Sequence, residues 1–294
     1  MKIVRDPQGP ALAVEAEPHE RGSVVTIGAF DGVHLGHRAV LRLVRELADA
    51  RGLRAALVTF DRHPAEIVRP ESAPKLLTTL DHRLELLDGT GLLDQCVVLT
   101  FDEQRSHESA EEFVREVLVG VLHARLVVVG ADFHFGHRRG GNVALLDAMG
   151  ADLGFEVLGL GLVAPQTGSI PYSSTRVREL LGEGDVEGAA EVLGRPHELR
   201  GLLADNRLFV PERMCVPAEA LYLGTVTEGE RPERPVTISI GTPIATAIPT
   251  AIPAATGPSD RVEIVTVRTG TIMGAPGIVR LHTRIGGTEA AGGR

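Results

Sequence analysis

Tryptophan is absent from this 294-residue chain, lysine and cysteine occur twice each, and aromatic residues make up 3% of it. Cys96 and Cys215 stand far apart without CxxC spacing, so no disulfide framework is read and both are expected as reduced, buried thiols. The longest apolar runs, such as Leu126 to Gly130 and Val157 to Ala164, fall far short of the roughly 20 residues a membrane span needs. The segment from Met1 to Pro7 lacks an apolar signal core and carries an acidic residue and a proline early, so a cytoplasmic address is expected. With Lys2 and Lys75 the only lysines and a net charge of −9, the chain argues against a nucleic-acid coat or an anionic membrane surface as partner. An anionic ligand would have to be met by a local site. Oligomeric state is left open, a homo-oligomer included.

What is present is the composition of an ordinary folded protein. Hydrophobic residues are 43% and charged residues 23%, and the length suits two domains with a sizeable core. From Arg21 to about Gly184 short apolar strands alternate with amphipathic helices. Ser23 to Gly28 reads as a buried strand, Leu35 to Ala50 as a helix with Val40, Leu41, Val44, Leu47 and Ala48 on one face, and Arg54 to Phe60 as the next strand. Strand, helix and strand in close succession form a βαβ unit, whose parallel strands are buried on both faces. A helix near Asp81 to Asp88, a strand at Cys96 to Thr100, a helix from Ser109 to Leu122, strands at Arg125 to Val129 and Glu156 to Leu162, and a helix from Arg176 to Leu181 continue the pattern. It predicts an α/β doubly wound parallel sheet. The short helix Val186 to Leu193 then leads out through Gly194-Arg195-Pro196.

After Pro196 valine, threonine and proline rise and helical periodicity vanishes. Alternating runs at Ala220 to Val226, Val236 to Ile240, Arg261 to Val267 and Ile278 to Thr283 predict a small antiparallel β domain. Thr242 to Pro258 reads as a loop and Gly286 to Arg294 as a frayed tail.

The chemistry concentrates at strand ends. Gly28-Ala29-Phe30-Asp31-Gly32-Val33-His34-Leu35-Gly36-His37 sits where the first strand gives way to the first helix. A helix N-terminus there offers unpaired N–H groups and partial positive charge, glycines let backbone approach a bulky polyanion, and histidines at i, i+3 point the same way. Such histidines also serve as helix caps, or as metal ligands. Metal binding would want a third ligand and gives the glycines no role, so phosphate is the better reading. Ser173-Ser174-Thr175-Arg176-Val177-Arg178 opens a later helix with three hydroxyls, which cap helices and also donate to phosphate, and with two guanidinium groups. Carboxyl ends of strands in one parallel sheet converge on one crevice, so this turn is expected to face the histidine turn. A third strand end, Gly130-Ala131-Asp132-Phe133-His134-Phe135, places a carboxylate beside two aromatic rings that could wall a flat ligand or simply fill core. Phe60-Asp61-Arg62-His63-Pro64 closes another strand, with Pro64 stiffening the turn.

Together with Thr-Phe-Asp-Arg-His-Pro at 59 to 64, Leu-Thr-Thr-Leu at 77 to 80, Tyr-Ser-Ser-Thr-Arg-Val-Arg at 172 to 178 and Gly-Asp-Val-Glu-Gly-Ala-Ala-Glu-Val-Leu-Gly-Arg-Pro at 184 to 196, these stretches resemble the adenylyltransferase module of the bacterial bifunctional riboflavin kinase/FAD synthetases, within the HxGH nucleotidyltransferase superfamily. The resemblance covers about Arg21 to Arg200. It implies adenylyl transfer from ATP to FMN, giving FAD and pyrophosphate with Mg²⁺ assistance, and no metal held by protein ligands alone. His34, His37 and Arg178 would be the catalytic residues. Gly28, Phe30, Asp31, Gly36, Ser173, Ser174, Thr175 and Arg176 would border ATP, and Phe60, His63, Pro64, Asp132, Phe133 and Phe135 would border the flavin. By the same resemblance, residues 1–184 form the adenylyltransferase-like domain, 185–196 a connecting helix, 197–286 a shortened riboflavin kinase-like β-barrel domain and 287–294 a flexible tail.

Some positions depart from the family. Arg62 replaces the usual proline before His-Pro, Ala131 an acidic residue and His134 an arginine, all toward the expected flavin side. In the second domain Leu199-Arg200-Gly201 would open the kinase barrel, but the Gly-rich segment and the Gly-Phe-Pro-Thr-Ala-Asn signature that hold ATP and magnesium do not appear after it. Glu263 aligns with the kinase base. Loss of riboflavin kinase activity is therefore expected. Two other readings stay open: transfer to a different phosphorylated acceptor or from CTP, and a non-catalytic flavin or nucleotide sensor.

Overall fold

A computed structural model describes residues 1–5, 22–161, 171–241, 261–267 and 274–285. The chain divides into two compact units, one of Met1–Pro74 with Thr79–Tyr172, the other of Lys75–Thr78 with Ser173–Arg294.

In the first unit the strands are β1 (Lys2–Arg5), β2 (Ser23–Ile27), β3 (Arg54–Phe60), β4 (Gln95–Leu99), β5 (Ala124–Gly130), the short β6 (His134–Phe135) and β7 (Gly141–Asn142), and β8 (Glu156–Leu160). The helices are α1 (Leu35–Arg51), α2 (Ala65–Val68), α3 (Leu80–Asp88), α4 (Glu103–Ser106), α5 (Ala110–Phe113), which runs on as a π-helix over Val114–Val121, and α6 (Val143–Leu153). Six strands form one sheet in the order β1-β4-β3-β2-β5-β8, every neighbouring pair parallel.

Each strand of this sheet alternates between two covered faces. On one, Leu41, Val44 and Ala48 of α1 with Leu84 and Leu87 of α3 meet Val24, Leu57 and Val128. On the other, Val114, Val117 and Leu118 with Leu146 of α6 meet Val25, Val58 and Val127. Each such aliphatic side chain taken from water stabilises the sheet by about 1.5–3 kcal/mol, which is why the strands read as continuous apolar runs. The doubly wound sheet matches the sequence expectation. The helices around it are longer in number than periodicity indicated: α6, Ala- and Leu-rich, has little contrast between faces, and β1 buries only Val4.

The second unit begins with α7 (Ser174–Glu183) and α8 (Val186–Leu193) and continues as β9 (His197–Ala204), β10 (Arg207–Pro211), β11 (Ala220–Glu228), β12 (Arg234–Ile240), β13 (Arg261–Val267) and β14 (Ala275–Ile285). These six strands close into a barrel, β10-β13-β12-β11-β14-β9. It is mixed: β13 runs parallel to β10 and to β12, and the remaining pairs are antiparallel. The alternating runs located β11 to β14. The hairpin of β9 and β10, where Leu203 faces Leu208, supplies the strands that close the ring and remove its free edges. One core unites Leu199, Tyr222, Ile238 and Leu281 of the barrel with Val177 and Leu181 of α7. Leu77 joins it, and Leu76 exchanges backbone hydrogen bonds of 2.7 Å with Arg213 and Cys215, which is how residues 75–78 come to belong to this unit.

The expected loop Thr242 to Pro258, the tail from residue 286 onward and the end of the strand expected to reach Leu162 lie outside the described residues. No described helix is long and apolar enough to cross a membrane.

The barrel turns on a close approach at Gly224, where the β11–β14 register shifts. A Cβ there would lie 2.1 Å from the Arg280 carbonyl oxygen and 2.4 Å from Cδ1 of Ile238. Gly224→Ala is expected to destabilise the protein by about 2–3 kcal/mol, read as a lower urea midpoint. An unchanged midpoint would contradict this packing.

Candidate active site

Winding reverses between β2 and β5, since β3 lies on one side of β2 and β5 on the other. Open parallel sheets bind ligands in the crevice outside the carboxyl ends of the strands at this point. The loop leaving β2 here is tight. Gly28 N–H donates to the Val58 carbonyl at 3.0 Å and Val33 N–H to the Phe30 carbonyl at 3.1 Å. Phe30, Gly32 and Val33 stand at φ of 49°, 83° and 42°. For a β-branched residue such as Val33 a positive φ costs on the order of 1–3 kcal/mol, and its full burial offsets the strain.

This turn presents the histidines. His34 is the N-cap of α1, its Nδ1 accepting from the His37 N–H at 3.3 Å. A neutral His34 accepting there carries its proton on Nε2. The rings of His34 and His37 stack with centroids 3.6 Å apart, and Phe30 covers His37 with centroids 4.5 Å apart. Gly36 permits the stack, since a Cβ on it would meet the His34 ring and Cβ of Tyr172 at 3.1 Å. His34 is buried, and His37, though part-exposed as a whole, has its Nδ1 sealed from solvent without a partner. Burial drives the His37 pKa well below the ordinary histidine value, and positive charge on His34 and Arg83 pushes it the same way.

Arg83 is the residue that sequence reasoning missed. Buried at the start of α3, it donates to the Ala29 carbonyl at 2.8 Å and to the Phe60 carbonyl at 2.5 Å, while Thr59 Oγ1 donates to the same Ala29 oxygen at 3.2 Å. Burial lowers the Arg83 pKa, opposed first by buried Asp31 of the histidine turn. Leu-Thr-Thr-Leu just ahead of it marked the position, but nothing in a lone arginine distinguishes a buried guanidinium from a surface one.

At the end of β3, Phe60 meets Phe101 edge to face with centroids 5.4 Å apart. Asp61 pairs with Arg62 at 3.0 Å and accepts from the Phe101 N–H at 2.9 Å. Burial alone would raise the Asp61 pKa, but those partners outweigh it and the carboxyl lies below the usual range. His63 and Pro64 open α2, with Nδ1 of His63 accepting from the Ala65 N–H at 3.2 Å.

At the end of β5, Asp132 is exposed and its carbonyl pairs with Nδ1 of His134 at 2.7 Å. Phe133 and Phe135 stack with centroids 5.4 Å apart, and both pack against the adjoining core. A cavity of about 520 Å³ opens beside them, lined by Ala131, Phe133, His134, Asn142, Asp147 and Val157 among others.

The hydroxyl-rich turn lies in the second unit. Ser173 alone caps α7, its Oγ accepting from the Arg176 N–H at 3.1 Å, so Ser174 and Thr175 fall in the first helical turn rather than before it. Arg176 pairs with Glu179 at 3.3 Å, and Nε of Arg178 donates to the Lys75 carbonyl at 2.6 Å.

The depressed His37 pKa has a thermodynamic consequence. Between the folded pKa and about 6.5 the unfolded chain binds more protons than the folded one, so stability is complete above that range and falls as pH drops through it, by at most about 1.4 kcal/mol per pH unit for one proton. Replacing His37 by asparagine is expected to flatten the stability-against-pH slope between about pH 7 and 5 in urea titrations; a slope as steep as the parent's would contradict the assignment.

The family model described as FAD synthetase matches residues 16–176. The chain is 39% identical over 220 residues to the bifunctional riboflavin kinase/FMN adenylyltransferase of Pseudomonas fluorescens, covering 71% of this chain and 70% of that protein. It is 33% identical to the protein of the same name from Buchnera aphidicola subsp. Schizaphis graminum, over 61% of this chain and 57% of the relative. The match thus spans less than two thirds of the Buchnera protein's own length. The crystal structure of a macrolide-efflux protein from Streptococcus pneumoniae shares the fold, with a TM-score of 0.72 at 22% identity, covering 97% of this chain and 91% of that one. On the family match and the Pseudomonas relative, the chain belongs to the FAD synthetase family.

Proposed function

We propose that the protein transfers the adenylyl group of ATP to FMN. A phosphate oxygen of FMN attacks the α-phosphorus in line, the bond from that phosphorus to the α–β bridging oxygen breaks, and FAD and pyrophosphate form without a covalent enzyme intermediate. The observation that carries this reading is the stacked pair of buried His34 and part-exposed His37 on a strained turn at the sheet's switch point. Such a reaction calls for positioning and for stabilisation of charge on the leaving group rather than for a nucleophilic side chain. Imidazoles donating hydrogen bonds from Nε2 answer that need, and one that takes up a proton as the triphosphate binds would add positive charge facing the leaving pyrophosphate.

The remaining roles are assigned on family membership and local chemistry. Gly28, Phe30, Asp31 and Gly36 border the nucleotide. Ser173 as a cap, with Ser174, Thr175, Arg176 and Arg178 after it, gives a helix start rich in phosphate donors, and we assign it to the β and γ phosphates. Phe60, His63, Pro64, Asp132, Phe133 and Phe135 are assigned to the flavin and its phosphate, which suits the cavity that Phe133 lines. Among the described residues no group of three His, Cys, Asp or Glu side chains could hold a metal. A Mg²⁺ carried by the triphosphate with its own waters would neutralise phosphate charge there.

One observation favours a second reading, transfer to another phosphorylated acceptor. Ala131 and His134, two of the positions that depart from the family, both line the cavity beside Phe133. Riboflavin kinase activity is proposed to be lost. Besides lacking the phosphate-loop signatures, the barrel turns Glu263 outward between inward-facing Val262 and Ile264, where it pairs with Arg207 at 2.8 Å.

Incubation with ATP, Mg²⁺ and FMN is expected to yield FAD and pyrophosphate, with His34→Ala and His37→Ala each slower by about a hundredfold or more. FAD formed equally well by both variants would overturn the histidine roles. FAD absent while another phosphorylated acceptor is adenylylated would favour the second reading. Riboflavin with ATP is expected to give no FMN, and its appearance would refute the loss of the kinase.

A further inference from the structure

Arg83 takes no part in the roles assigned above, yet its position is unusual on three counts. It is an arginine with 3% exposure, and it spends donors on two carbonyls from different strand ends, Ala29 after β2 and Phe60 at the end of β3. Its Nε is sealed from solvent with no hydrogen-bond partner. A buried guanidinium with an unmet donor is costly, so its retention under the histidine turn calls for a role.

We propose that Arg83 is a positioning residue for the nucleotide site: its fork fixes the Ala29 carbonyl, and so the strained turn carrying His34 and His37, against the end of β3, and its charge lies permanently beneath the imidazole pair. This rests on the reading of the histidine turn as a triphosphate site. The geometry accounts for the fork, since a lysine in the same place could not reach both oxygens in fixed directions. Rings stacked at 3.6 Å resist a second proton, and a fixed cation nearby makes even the first unfavourable until an anion arrives. The lowered His37 pKa, assigned to burial, then His34, then Arg83, agrees. The opposing charges around Arg83 are Asp31 in the turn and Asp61 and Glu66 beyond β3, while the thiol of Cys96 of β4, pushed up to about 12 by burial, stays neutral. When the triphosphate binds, His37 would gain a proton that burial, His34 and Arg83 together disfavour in the free protein.

The test follows the imidazole signals of His34 and His37 by NMR in the free, full-length protein, together with the rate of adenylyl transfer. In Arg83→Met the midpoint of the pair is expected to rise toward the ordinary histidine value. In Arg83→Lys the midpoint stays near the parent's, but the ring signals move because one carbonyl anchor is lost, and kcat falls about tenfold to a hundredfold with a smaller change in KM for ATP. Should the methionine variant not fold, the lysine variant alone decides: displaced ring signals support the proposal, and parental signals with parental turnover overturn it. A parental midpoint in folded Arg83→Met also overturns it. The imidazole readings need no acceptor, so a parent that makes no FAD would refute the assigned reaction while leaving the role of Arg83 to be judged separately.

Discussion

The reversal of winding beside β2 is the constraint from which the candidate site follows. Because the chain leaves β2 toward α1 and later leaves β5 in the opposite sense, the two carboxyl ends part and open a crevice above neighbouring strands. Whatever enters meets the first turn of α1, whose N–H groups lack intrahelical partners, and the side chains carried by the loop before it. His34 as cap and His37 one turn on are placed by this geometry, and the two covered faces of the sheet hold the turn rigid.

The energetics of that turn run against folding on their own. Positive φ at Phe30 and Val33, the buried, unpartnered Nδ1 of His37 and a buried guanidinium all cost free energy, and the turn is surrounded by well-packed apolar residues of α1, α3 and the sheet. The chain as a whole carries a charge of −9, but here the fixed charge of Arg83 sits with two histidines against Asp31. An acidic protein has thus built a small region suited to polyanions, with electrostatics confined to one strand end. In the second unit the chemistry is different. Six strands close on an aliphatic core, and the charged residues, Glu263 with Arg207 among them, lie on the outer wall.

Much of this was legible in the residues, for physical reasons that also mark where reading stopped. The buried strands β2, β3, β4 and β5 announce themselves because a parallel strand covered on both faces must be continuously apolar. α1 shows as an amphipathic stripe with a Gly-rich entry. α6 did not, because alanine, leucine and methionine surround it and leave no stripe to detect. β9 and β10 do not show as alternating runs, because arginine, glutamate and glycine interrupt β9 and β10 is short, so only the family resemblance put the opening of the barrel at Leu199-Arg200-Gly201; closure of the barrel, not local pattern, makes them strands. The histidine turn was visible as a motif, whereas the stacking of its rings and the arginine under it depend on packing between elements far apart in the chain. The hydroxyl run was read as three capping residues, and only Ser173 caps, because helical geometry leaves one residue at that position.

The central claim is that the imidazole pair is where the triphosphate binds. NMR observation of the ring signals of His34 and His37 during titration with a non-hydrolysable ATP analogue tests it most directly. Binding at this turn requires both rings to shift and the pair to take up protons as the analogue saturates. Saturable binding with both ring signals unmoved would place the nucleotide elsewhere and contradict the account.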